Sequence, residues 1–254
     1  MTGPRIKLLT VGDDSGMCHS ANLAMCECYD KGIMRNTNLM VPCPAFEEAA
    51  TMILDRPGLC VGLHSTLNAE WDAPQWKWGP VLPVAEVPTL VDRQGYFFQT
   101  TQALNDNDPD PDQMIAEVRA QLDLARSRGI EVTFVSSHMG WTWIKDTRDR
   151  LASFAEREGL TFGRPEGIGR LPEVEGDFGD PIDRLVARLE AAAPGTYGMG
   201  GHPGYDDEEM AQFGHEGYRQ VAQERDLDRR MMTDPRVLRC CEQHDIVPCR
   251  RDEV

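Results

Sequence analysis

Hydrophobic positions along this chain fall into two alternating rhythms. Short apolar runs at 6–11, 38–41, 58–64 (GLCVGLH), 130–138 (IEVTFVSSH), 160–164 (LTFGR), 195–202 (GTYGMGGH) and 245–249 (DIVPC) read as strands. Between them lie segments of helical period. Ser20–Lys31 closes at Gly32, Ala45–Leu54 stops before Pro57, and a further helix covers about 146–158. Ile115, Val118, Leu122 and Ala125 form one apolar stripe between Asp110–Pro111 and Gly129. Ile182, Leu185, Val186 and Leu189 form another after Asp180–Pro181, and Asp234–Pro235 opens a last helix. Asp followed by Pro is a start signal with a mechanism. The carboxylate accepts from unpaired N–H groups of the first turn, and proline has no N–H to leave unpaired.

Repeated strand–helix units require a parallel sheet covered by helices. About seven units in 254 residues predict an α/β fold. The expected form is an irregular, TIM-barrel-like (β/α) barrel of about seven parallel strands, with residues 1–254 as one domain. A flat doubly wound sheet is the alternative. No Gly-x-Gly-x-x-Gly or P-loop follows the first strand, so nucleotide binding has no support. The stretch from Ser65 to Asp110 has little regular signal, and loops of that length in compact domains are often functional.

Composition narrows the function classes. No apolar run approaches 18 residues, which predicts no membrane span. The N-terminal MTGPRIKLLTV lacks the features of a secretory leader, so the expected location is cytoplasmic. A net charge of −16 with no basic stretch argues against nucleic acid as a partner. Eight cysteines occur without a Cys-x-x-Cys, which argues against a disulfide framework; the Cys26–Cys28 pair is a poor zinc motif.

Candidate chemistry sits at the strand ends. Asp13 and Asp14 close the first run, His64 ends VGLH, His138 ends FVSSH and His202 ends GMGGH. In a parallel barrel all strand C-termini open on one face, so these residues are expected to converge. Adjacent carboxylates repel unless a cation lies near, and imidazole with carboxylate suits a divalent metal. One aspartate would then bind the ion and the other serve as base. The plainer alternative has one Asp capping the next helix and the other facing solvent. His19, His215 and His244 read as surface or packing residues.

Four segments, TVGDDSG, VGLHSTLN, VSSHMGW and GGHPGY, together with MTDPRVLRCC at 232–241, resemble the motifs of the YdjC-like (ChbG/HpnK-type) carbohydrate deacetylases, in order and spacing. The resemblance implies an irregular barrel hydrolase that removes acetyl groups from N-acetylated sugars. It implies one divalent ion, zinc or magnesium, on Asp14, His64 and His138. Asp13 matches the general base, His202 an acid or carbonyl-polarising group, and Arg164 a substrate-binding arginine. The chain departs from the family at Ser136, where an Asp is usual, and at Met139, Gly140 and Trp141, where histidines repeat. These departures bear on the substrate more than on the reaction. Two other readings stay open: a hydrolase of another amide, ester or phosphoester, and a non-catalytic carbohydrate-binding relative. The expected partner is a small N-acetylated sugar, with room for a homodimer.

All five tryptophans follow a candidate ligand: Trp71, Trp76 and Trp78 after His64, and Trp141 and Trp143 after His138. Flat indole faces stack on sugar rings, and Trp76 and Trp141 are the expected platform. The alternative is that they plug the barrel mouth.

Overall fold

The computed structural model describes residues 5–254; the first four residues, part of the stretch read above for a leader, lie outside it. Strands β1 (Ile6–Ser15), β2 (Asn36–Leu39), β3 (Cys60–Ser65), β4 (Val132–Ser137), β5 (Thr161–Phe162), β6 (Gly169–Arg170), β7 (Gly195–Gly201) and β8 (Ile246–Cys249) alternate with helices. The helices are α1 (His19–Asp30), α2 (Phe46–Leu54), α3 (Thr101–Asp106), α4 (Pro111–Ser127), α5 (Thr147–Arg157), α6 (Pro181–Ala191), α7 (Val221–Thr233) and α8 (Pro235–Gln243). Every strand pair is parallel, in the order β5-β4-β3-β2-β1-β7-β6, with β8 added beside β1. The two end strands, β5 and β6, do not pair with each other, so the sheet curls into a half-barrel open on one side. The alternation of strand and helix foretold this α/β architecture. Its two-residue strand β6 and the helices α3 and α7 gave no clear signal in the sequence.

β1 is the spine. One of its edges carries β7 along Ile6–Gly12. The other is shared, with β8 along Ile6–Leu9 and β2 from Val11 onward. Asn36 joins the fork by donating to the carbonyls of Thr10 (2.8 Å) and Cys249 (3.0 Å). A buried polar side chain is stable there because the backbone groups it meets have no other strand to pair with.

The Asp-Pro signals all operate. Asp110, Asp180 and Asp234 accept from the backbone N–H two residues on, at 2.8, 3.0 and 2.8 Å. Of the predicted α4 stripe Val118, Leu122 and Ala125 are completely buried and Ile115 only partly, with Met114 buried in its place. Burying one such leucine contributes about 1.5–3 kcal/mol, and truncating it to alanine costs about 2–5 kcal/mol.

The same helix orders the long segment after β3, which builds little regular structure of its own. Glu117 accepts from the N–H groups of Val81 and Leu82 (2.9 and 3.0 Å), and Gln121 exchanges bonds with the backbone of Thr66 (3.0 and 2.7 Å). Trp78 adds an indole N–H to the Asn68 carbonyl at 2.8 Å. Side chains from one helix thus replace the ladder that the loop lacks, and they fix the positions of Glu70 and Trp71.

Candidate metal centre and active site

The strand ends converge as their parallel order requires. Register sets His64 of β3 opposite Ser136 of β4, and His138 follows β4 directly. Gly12 of β1 is opposite Thr37 of β2 and Gly201 of β7. One position further on, Asp13 therefore lies between Asn38 and His202. Gly62, two residues before His64, could not be replaced without collision: a Cβ there would fall 2.2 Å from the Phe134 ring and 2.6 Å from Asn38.

Simple alternation would send Asp13 and Asp14 to opposite faces of the sheet. A bulge prevents this. The register with β2 shifts between Gly12 and Ser15, and Asp14 sits at φ 66°, in the left-handed region. Aspartate tolerates that region better than most side chains, and bulges beside active sites commonly re-aim a side chain. Glu70 (φ 56°) and Met139 (φ 52°) share the conformation, so three left-handed residues flank the cluster.

Asp14, His64 and His138 are buried, and one donor atom from each lies within 4.8 Å of the others. Asp14 Oδ1 is 3.3 Å from His64 Nε2 and 3.4 Å from His138 Nδ1, yet it has no hydrogen-bond partner among the described residues. The other oxygen, Oδ2, accepts from Arg225 Nη2 at 2.7 Å. Arg225 is buried too, beneath the face of Trp71 at 5.6 Å. Burial alone pushes the Asp14 carboxyl up. Arg225 and the two imidazoles outweigh it and hold the group well below the usual carboxylate range. Burial likewise pushes the His138 imidazole down, but Asp14 and Glu70 outweigh it and lift it to about 9.

Each imidazole is also held from behind. His64 Nδ1 pairs with Ser136 Oγ at 2.8 Å, and His138 Nε2 faces Glu70 Oε2 at 3.3 Å. The donor set fits a divalent ion. It offers one carboxylate oxygen without a partner and two imidazole nitrogens aimed at it, with each ring's far nitrogen backed by an oxygen.

Asp13 is more open. Its Oδ1 accepts from Asn38 Nδ2 at 2.5 Å, and its Oδ2 lies 3.9 Å from His202 Nε2. His202 is half-exposed, and its Nδ1 faces Asp228 Oδ2 at 3.9 Å. Asp228 also accepts the His202 backbone N–H at 2.7 Å.

The tryptophans need correcting. Trp141 is fully buried, and its indole N–H is bonded to the Ser65 carbonyl at 2.9 Å, so no sugar can stack on it. Trp71 and Trp78 are buried as well. Trp71 stands over Arg225, and Trp78 lies 6.4 Å from the His138 ring. Trp76 is half-buried, with its ring 4.6 Å from Phe213. Trp143, 51% exposed, is the open indole. Arg164 lies on the inner face of the half-barrel, beside Arg251 and Gly163. Arg225, Glu70 and Asp228 escaped sequence reasoning. Arg225 and Asp228 come from α7, whose charge-rich stretch QERDLDRR shows no apolar stripe. Glu70 comes from the irregular loop, where no period exists to read.

Fold and cluster together define a class: a part-closed (β/α) barrel with carboxylates and imidazoles gathered at its strand C-termini. The profile of the YdjC-like protein family matches residues 7–243, and the chain belongs to that family. It is 27% identical over 253 residues to a carbohydrate deacetylase of Thermoanaerobacter pseudethanolicus, covering 94% of this chain and 96% of that one. It is 28% identical over 233 residues to a carbohydrate deacetylase of Geobacillus stearothermophilus, covering 88% and 87%. The fold superimposes on the crystal structure of a putative cellobiose-phosphate cleavage protein from Enterococcus faecalis V583, with a TM-score of 0.77, 19% identity and 99% of both chains covered. No helix among the described residues is long and apolar enough to cross a membrane.

Proposed function

We propose that this protein is a metal-dependent carbohydrate deacetylase that hydrolyses the acetamide of an N-acetylated sugar. The observation that carries the reading is the buried, partnerless Asp14 Oδ1 facing two imidazole nitrogens. An unpaired anionic oxygen at that depth is costly, and a cation relieves it. Family membership and the deacetylase relatives supply the reaction class.

Asp14, His64 and His138 would hold the ion. A divalent ion there supplies Lewis acidity, polarising the acetamide carbonyl and making water easier to deprotonate. Arg225 keeps Asp14 ionised and fixes its orientation, leaving Oδ1 for the cation. Ser136 and Glu70 set which imidazole nitrogen faces inward. Asp13, oriented by the Asn38 amide, takes the proton of the attacking water. His202, on the far side of Asp13, gives a proton to the departing amine, and the Asp228 carboxylate steadies its backbone. Both products, acetate and a free amino sugar, then leave by the open side of the half-barrel.

The test separates the two aspartates. Asp14→Asn should lose metal and turnover together. Asp13→Asn should keep its metal and lose about 10²–10⁴-fold in kcat. Metal content by elemental analysis and acetate release from N-acetylated sugars are measured side by side. Near wild-type turnover in Asp13→Asn removes the base mechanism. Metal retained in Asp14→Asn but lost in Asp13→Asn reverses the two roles.

A further inference from the structure

Helices α6 and α8 pack side by side and run in the same direction. Their starts are tied together. Arg236 of α8 pairs with Asp180, the cap of α6, at 2.9 Å and with Asp183 in its first turn at 2.6 Å. Their ends meet at Arg5. Its guanidinium donates to the Ala192 carbonyl just after α6 (2.5 Å), and its backbone N–H donates to Asp245 Oδ2 just after α8 (2.9 Å). The Asp245 carbonyl accepts the Ile6 N–H at the start of β1 (3.2 Å), and Asp245 leads directly into β8. The two helix ends therefore lie at the strand N-termini, the opposite end of the sheet from Asp14.

Three ligating side chains gather there. Glu190 comes from the last turn of α6, Cys240 from α8 and His244 from the residue that caps α8. Cys240 and His244 are four apart, which puts them one above the other on one side of the helix. The His244 N–H, bonded to the Cys240 carbonyl at 3.0 Å, holds that spacing. One donor atom from each of the three lies within 4.8 Å of the others. Of the two such groups among the described residues, this one alone contains a sulfur. Cys240 is 3% exposed, whereas the side chains of His244 and Glu190 are 35% and 52% exposed, so the thiol is the inner ligand and the other two open to solvent. His244 Nε2 stands 3.8 Å from Glu190 Oε1, too far for a hydrogen bond, while the Arg236 pairs at the other end are closed. Two ligands held at about 2.0–2.1 Å by a tetrahedral zinc stand about 3.3–3.4 Å apart. A small rotation of the exposed Glu190 side chain brings the pair to that separation with the ion between them.

We propose that Glu190, Cys240 and His244 form a metal site of their own, one that takes zinc on a carboxylate, a thiolate and an imidazole and clips the end of α8 to α6. Binding forms a zinc–sulfur bond and releases the Cys240 thiol proton to solvent. Sulfur and nitrogen donors select zinc over magnesium and calcium, which take oxygen. Water fills the fourth position on the solvent side. The ion does for the ends of the two helices what Arg236 does for their starts, and it steadies the entry into β8. In a (β/α) barrel this end of the sheet serves stability, and the chemistry occupies the other. The assignment is independent of the deacetylase reading.

The experiment titrates cobalt(II), a spectroscopic stand-in for zinc, into the full chain after metal is stripped, with a non-thiol reductant present. Thiolate ligation gives a sulfur-to-cobalt charge-transfer band in the near ultraviolet, which the sulfur-free cluster of Asp14, His64 and His138 cannot give. Wild type should show the band, and added zinc should abolish it by displacing cobalt. The band should vanish in Cys240→Ala and persist in Cys241→Ala and in His64→Ala. In Glu190→Ala and His244→Ala, shown folded by circular dichroism, cobalt affinity should fall about 100-fold, one ligand's share of the affinity of a zinc site. No band in wild type, a band that survives Cys240→Ala, or a band lost in Cys241→Ala or His64→Ala overturns the assignment. Wild-type affinity in both Glu190→Ala and His244→Ala also overturns it, since the band then marks an adventitious thiol complex only.

Discussion

The outer helices and the rim of strand ends handle their polar groups in opposite ways. On the outside, α4, α6 and α8 start with an Asp cap whose bond is made, and their apolar stripes are buried. Even the buried Glu117 and Gln121 of α4 are paired with loop backbone. At the rim, polar atoms are buried and left open. Asp14 Oδ1, Asn38 Oδ1, Trp71 Nε1 and Arg225 Nη1 have no hydrogen-bond partner among the described residues, and Asn68 Oδ1 joins them from the loop beside Glu70. Native proteins leave few such atoms, so their collection at one end of one sheet is itself a functional signal. The outer layer stabilises the fold; the rim leaves buried polar atoms unpaired at a cost in stability.

Substituting Arg225 should break this contrast most forcefully. Arg225→Met leaves Asp14 ionised and buried without its cation, a loss of about 3–5 kcal/mol by the usual cost of halving a buried pair. Divalent metal should restore part of that loss, because it supplies the missing charge. Thermal unfolding with and without added zinc or magnesium checks this. A Tm shift on metal addition no larger than that of wild type would show that Arg225, and not an ion, is what the cluster was built around.

Ser136 sharpens the comparison with a smaller effect. It backs His64 as a neutral group at 2.8 Å. Ser136→Ala should weaken metal affinity about 10–100-fold, the usual cost of removing such a support, while leaving the fold intact. Ser136→Asp should strengthen it, since a carboxylate makes the ring a better donor. Metal titration of the two variants gives the answer, and unchanged affinity in both would remove the supporting role.

The mildest change lies in the outer layer. Asp110→Ala should cost about 1 kcal/mol of stability through the lost cap, with kcat and metal content unchanged. Denaturant unfolding and steady-state kinetics test it together. A substantial loss of activity at equal folding would mean that the helix layer and the rim are coupled more closely than the contrast allows.

The outer layer was legible because its determinants are local. A cap, a proline and an apolar stripe lie within a few residues of one another, and each acts on its own helix. The strand ends were legible for a related reason: parallel order alone dictates that His64, His138, His202 and the Asp pair share one face. Trp141 was misread because tryptophan spacing along the chain cannot say which indoles turn inward. Its burial follows from the left-handed turn at Met139 and Gly140, which folds it back onto the Ser65 carbonyl.

By itself, then, the sequence determined the α/β architecture, the helix starts and the set of ionisable residues brought to the open face. Tertiary structure alone decided which of those residues touch. The bulge at Asp14 overrides strand alternation and turns that carboxylate toward the two imidazoles. Arg225 reaches Asp14 across 211 positions of chain, and Arg148 and Arg251 approach Gly163 from separate segments. Pairings of that kind are set by how the curled sheet brings distant segments together. The bonds that decide them form between groups with no local relation for a periodic pattern to record.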